Sequence, residues 1–264
     1  MGAGRDPDDP QGDRDDAGRR PGLATPDGRA WMLVAALLAA GALGVAALGD
    51  AARTTLDWQP ATLVAQPWRA WTAAWVHLGT THLVANLGAV GLLALLGRRA
   101  GLGPRDATAW ALAWPLTHAL MSAAATAWPA GFGAWLPHVA GMSGVLHAGV
   151  AIAALSLAGR RDEPASVAAS ADADAPVHPE AAAPPYVEGP DPRRARLVGR
   201  MLLVGLAAKV IAESPWDLAP RLDAVLGIAV APEVHLAGAL AGAIAWALLR
   251  AGSRHPGDAV VTGR

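Results

Sequence analysis

The chain has 264 residues, 53% of them hydrophobic, a formal net charge of −1 and no cysteine. The missing cysteines exclude a disulfide framework, a thiol nucleophile and thiolate metal sites, and the near-zero charge predicts no nucleic-acid partner. A mean hydropathy of +0.30 is high for a water-soluble domain, and several runs approach the roughly 20 apolar residues needed to cross a bilayer.

Residues 1–28 are Gly, Asp, Arg and Pro with almost nothing apolar, which predicts a disordered tail. The tail is too long and too acidic for the n-region of a signal peptide, so the first apolar run is expected to stay uncleaved. That run, Trp31 to Leu48, is the first expected span. A polar linker over 50–70 follows, with Pro60, Pro67, Trp58, Trp68 and Trp71; its indoles favour a membrane–water interface. The second span is expected from Trp75 to Leu96, with His77, Thr80, Thr81, His82 and Asn86 in its polar first half. The third runs from Ala107 to Trp128 and contains Pro115 and His118, and the fourth from Val139 to Ala158. Residues 159–196 are Ala/Pro/Asp/Arg low complexity and predict a disordered loop. The fifth span is Leu197 to Ala212 and the sixth Val234 to Leu249. The expectation is therefore an all-α polytopic membrane protein. Its membrane domain covers 29–252 and a polar tail covers 253–264.

Charge orients the six spans. With the N-terminus inside, the outer segments carry only Arg53, Arg69 and Arg221, and every other arginine falls on inner segments or their flanks. Cytoplasmic loops carry such an excess. The fourth and sixth spans then both start outside. Ser143 lies five residues into the fourth and His235 near the start of the sixth, so at 1.5 Å per residue both sit within roughly 10 Å of the outer surface. Gly141 and Gly144 flank Ser143, and Gly238 and Gly242 form a GxxxG face beside His235. Small residues let two helix backbones approach closely. By itself the Gly-Met-Ser-Gly stretch also suits plain helix packing. A hydroxyl becomes a nucleophile only beside a base, and a polar residue inside a span marks function by default. His82 and Asn86, at i and i+4, share one face at similar depth. His147, one turn after Ser143, is a rival base. No HExxH or paired His–carboxylate motif is present, so no metal and no other cofactor is expected.

These residues resemble the rhomboid family of intramembrane serine proteases. The matches are Trp68-Arg69 in the first outer loop, His82-Leu-Val-Ala-Asn86, Gly141-Met-Ser143-Gly144, and His235-x-x-Gly238-x-x-x-Gly242, covering about residues 31–250. Gly-x-Ser-Gly-Val-Leu-His147 and Lys209-Val-Ile-Ala-Glu213 are most similar to the rhombosortase branch. Val234 and Met142 depart from residues frequent in the family.

The resemblance implies a six-transmembrane-helix rhomboid-like bundle in the bacterial inner membrane, with both termini cytoplasmic and the active site facing the periplasm. It implies Ser143 as nucleophile and His235 as general base, a dyad without an acidic third member. His82, Asn86 and the backbone near Ser143 would support the oxyanion, and His147 would pack its ring on His235. The implied substrate is a membrane protein with a C-terminal transmembrane helix after a Gly-Gly pair, met within the lipid bilayer. His77, Thr80 and Thr81 are candidates for the cavity rim, Lys209 and Glu213 for an i, i+4 ion pair, and Trp68-Arg69 for fixing the outer loop. An inactive rhomboid-like protein that binds transmembrane helices is the rival reading. A small transporter is disfavoured by the lack of an inverted repeat.

Overall fold

The computed structural model describes residues 28–62, 64–130, 138–161, 191–217 and 221–252. The tails and most of the low-complexity loop expected to be disordered lie outside them. The described chain is mostly helical. The helices are α1 (Arg29–Leu48), α2 (Asp50–Leu56), α3 (Arg69–Thr72), α4 (Thr80–Arg99), α5 (Pro104–Ala127), α6 (Ser143–Ala158), α7 (Pro192–Ala212) and α8 (Pro232–Ala251). Strands β1 (Arg221–Asp223) and β2 (Ile228–Val230) form an antiparallel hairpin before α8, with Arg221 opposite Val230. The all-α expectation is corrected by this hairpin.

Local sequence sets the helix ends. Proline, which lacks an N–H and holds a helical φ, sits in the first turn of α5, α7 and α8. The Asp191 carboxylate accepts the Arg193 N–H at 2.9 Å to cap α7. Arg98 and Arg99 close α4, where the helix dipole favours cations.

The six long helices fall where six spans were expected, but three of them are long and apolar enough to cross a membrane: α1, α4 and α8, with mean hydropathies of 2.2, 1.5 and 1.5. Helix α6 is apolar but has only 16 residues. Three boundaries also differ. The chain turns through a 3-10 segment at Ala73–Trp75, so α4 starts at Thr80 rather than Trp75. Helix α6 starts at Ser143 itself, not at Val139. Helix α7 starts at Pro192, so residues 192–196 of the expected loop are helical.

Helix α6 is the centre of the bundle. It packs against α4, α5, α7 and α8, and most of its residues are buried. Lipid is as apolar as leucine, so close van der Waals packing must hold such helices together. Glycine supplies it: a Cβ on Gly238 would overlap the Gly144 carbonyl, and one on Gly242 would overlap that of Ala148. Buried indoles spend their N–H groups on backbone carbonyls, Trp31 on Leu93 and Trp110 on Val145, each at 2.9 Å. Trp58, expected at the interface, is instead wholly buried. Its N–H reaches the His118 carbonyl at 3.1 Å and Ser122 Oγ at 3.0 Å. Trp68 and Trp71 are exposed.

Arg69 ties down the loop between α2 and α3. Its Nη1 donates to the Asp57 carboxylate at 2.8 Å and to the carbonyl of Asp57 at 2.7 Å. The second Asp57 oxygen meets His138 Nδ1 at 2.6 Å. Trp58 and Val139 form a two-residue β-bridge alongside. The loop is thereby fastened to the segment that enters α6. Arg69 and Asp57 are both buried, and removing one partner strands a buried charge. Arg69→Ala is therefore expected to destabilise the fold by about 3 kcal/mol, read as a lowered thermal midpoint, whereas Trp68→Ala is expected to change it little.

Candidate active site

Ser143 is the first residue of α6. Gly141 just before it has φ of 116°, a conformation side chains rarely adopt, and a Cβ there would lie 2.7 Å from the His82 ring. The first N–H to donate a helical bond in this turn is that of Leu146, to the Met142 carbonyl at 2.9 Å. The earlier N–H groups of α6 have no intrahelical acceptor. The expected depth for Ser143, five residues into a helix, is corrected by this placement. A helix interior would have consumed those donors.

His235 lies in the first turn of α8, brought to α6 by the Gly238–Gly144 approach. Its Nε2 is 3.1 Å from Ser143 Oγ, and its Nδ1 is 2.7 Å from Glu213 Oε2. An ionised carboxylate only accepts, so Nδ1 carries the proton and Nε2 keeps its lone pair for the serine hydroxyl. The His147 ring stacks on that of His235, centroids 4.2 Å apart and 13° between planes. His147 Nδ1 bonds the Ser143 carbonyl at 2.7 Å rather than its hydroxyl. That contact leaves His235, not His147, against Oγ.

A carboxylate, that of Glu213, stands against His235 Nδ1, where no acid was expected. It stands just past the end of α7 and forms the expected pair with Lys209, one turn earlier. Helix α7 runs antiparallel to α6 and α8, so the residue that caps its C-terminal end meets their first turns. The alternating direction of the expected spans carried that signal. Burial pushes the Glu213 carboxyl up, but hydrogen bonds from His235 and Lys209 outweigh it and hold the group at about 2. It is therefore ionised across the physiological range.

His82 and Asn86 are buried on α4 and line, with Ser143, a cavity of about 560 Å³ between α4, α6 and α7. Asn86 Nδ2 donates to the His82 carbonyl at 3.0 Å, and His82 Nδ1 is buried with no partner among the described residues. Ser143 and His82 also line a second cavity of about 210 Å³ beneath strand β2. Ser143 thus opens both to an apolar groove and to a second, smaller pocket. His77, Thr80 and Thr81 line neither cavity. His77 is buried edge-on against the His82 ring at 4.9 Å, and both threonines are exposed. His118 is buried in a different part of the bundle, beneath Trp58.

His147, Glu213 and His235 offer ligand atoms within 4.8 Å of one another. The two rings are nearly parallel, so their in-plane lone pairs do not converge on one ion. These three and Ser143 are joined instead by hydrogen bonds and ring stacking. No protein-family model matches the chain, and no curated protein sequence matches it.

Proposed function

We propose that the protein is an intramembrane serine endopeptidase of rhomboid type. One observation carries the reading: Ser143 Oγ, at the start of a buried helix, lies 3.1 Å from His235 Nε2 in a cavity that opens into an apolar groove. His235 takes the Ser143 proton as Oγ attacks a peptide carbonyl, and then gives it to the leaving amine. The unused N–H groups of the first α6 turn receive the oxyanion, with His82 and Asn86 on the facing wall. Water then attacks the acyl-enzyme, the same histidine acting as base.

The membrane arrangement belongs to the same proposal. Helices α1, α4 and α8 are apolar and long enough to span, and α5, α6 and α7 pack with them. Together they make a six-span bundle with both termini cytoplasmic in the bacterial inner membrane, and Ser143 toward the periplasm. The charge distribution supports that orientation. The groove between α4 and α7 has the apolar lining and lateral position to admit one transmembrane helix. The resemblance to rhombosortases narrows the substrate to exported proteins with a Gly-Gly pair before a C-terminal transmembrane segment. Glycine at the cut weakens the substrate helix, which must unwind to expose its carbonyl.

A fluorophosphonate probe tests the reading on the whole protein in native membranes. Wild type is expected to label covalently and Ser143→Ala not at all. A folded wild type that stays unlabelled would favour an inactive protein that binds transmembrane helices.

A further inference from the structure

The His235 ring is held from both nitrogens, and the second hold comes from a third helix. Nδ1 faces Glu213 Oε2 at 2.7 Å, and the other Glu213 oxygen takes the Lys209 ammonium. The Glu213 side chain is 23% exposed and that of His235 7%, so the pair sits largely out of water. We propose that Glu213 is a positioning residue that makes the site a Ser143–His235–Glu213 triad, with Lys209 as the clamp that aims the carboxylate. The proposal rests on the serine-hydrolase reading above.

Three physical consequences follow from the arrangement. A carboxylate at Nδ1 enforces the tautomer whose Nε2 can accept the serine proton. It also lies beside the positive charge that appears on the ring when the proton moves from Oγ to Nε2, and a largely covered site weakens that attraction less than water would. Glu213 itself neither gains nor loses a proton; the proton travels from Ser143 Oγ to His235 Nε2 and on to the leaving amine. Third, the ring has one face against His147, which limits tilting but not rotation within its plane. The Glu213 hydrogen bond stops that rotation. Lys209 serves the same end one step further out: with one oxygen occupied by the ammonium, the other is directed at Nδ1. Catalytic geometry thereby depends on α7 as well as on α6 and α8.

The test measures fluorophosphonate labelling kinetics of the full chain in detergent micelles. Glu213→Gln removes the charge at nearly constant size. Its maximal labelling rate is expected to fall on the order of 10²- to 10³-fold, with the probe's half-saturating concentration within about threefold. Glu213→Asp should recover about tenfold over the Gln variant, and Lys209→Met should lose about tenfold. In a His235→Ala background, Glu213→Gln should cost nothing further, because a residue acting through another has no effect once that other is gone. A Gln variant that labels at the wild-type rate overturns the proposal. So does a loss that recurs undiminished without His235, which would mark a structural role. Should Glu213→Gln fail to fold, nitrogen NMR of ¹⁵N-histidine wild type decides: the His235 signals, assigned by their loss in His235→Ala, must report a protonated Nδ1, and a protonated Nε2 overturns the triad. Labelling that is strong in wild type and lost in His235→Ala but indifferent to Glu213 leaves the hydrolase reading standing without the triad. A wild type that never labels removes both.

Discussion

His235→Ala is expected to slow fluorophosphonate labelling of Ser143 on the order of 10³-fold, and His147→Ala about tenfold or less. The two imidazoles are stacked within one site, so proximity does not separate them; hydrogen-bond direction does. His235 Nε2 meets the serine hydroxyl at 3.1 Å, whereas His147 Nδ1 is spent on the Ser143 backbone carbonyl at 2.7 Å. Loss of a general base typically costs 10²- to 10⁴-fold. Loss of a stacked ring costs on the order of 1 kcal/mol, which is less than tenfold in rate. The ranking is checked by pseudo-first-order labelling of the two variants at equal probe concentration. Labelling that survives His235→Ala and disappears in His147→Ala would move the base to His147 and break the residue-by-residue likeness to rhomboids.

Gly238→Val is expected to remove labelling nearly as completely as loss of the base, although residue 238 has no chemistry of its own. A Cβ at that position would overlap the Gly144 carbonyl, and backbone cannot swing aside as a flexible side chain can. Helices α6 and α8 must separate or slide. A hydrogen bond of 3.1 Å is lost after well under 1 Å of extra distance, because interactions beyond about 3.5 Å are no longer direct. The overpacking itself costs about 1–3 kcal/mol. Gly238→Ala should give an intermediate loss. Gly88→Ala makes the control: a Cβ there meets nothing within 4 Å, so labelling and thermal midpoint should hold. Parallel labelling and thermal-unfolding curves of the three variants check the ordering. A Gly238→Val protein that labels at the wild-type rate would show that the close approach does not set the Ser143–His235 distance.

Much of the site can be read in the sequence because its elements are local. Gly141-Met-Ser143-Gly144 and His235-x-x-Gly238-x-x-x-Gly242 each combine a polar group with small residues within one or two turns, and small residues on helices mean close packing wherever they occur. Helix positions are equally legible, since an apolar run long enough to be a span is long enough to be a helix. The places where the reading failed involve long-range partners. Trp58 looked like an interfacial indole, but its N–H finds two acceptors on α5 and the ring is buried. Ser143 looked like a helix-interior residue because apolar composition does not mark where a helix begins. The hairpin of β1 and β2 left no alternating pattern of useful length, having three residues per strand. Above all, Glu213 reads as an ordinary i, i+4 partner of Lys209, and so it is. A carboxylate has two oxygens, and one helix accounts for only one of them. The second is assigned by the antiparallel packing of α7 beside α6 and α8, which brings the end of one helix to the beginnings of two others. Sequence by itself determined the kinds of groups and the helices that carry them; tertiary structure decided which atoms face each other, because hydrogen bonds act over about 3 Å while the residues that make them here stand 22 and 92 positions apart.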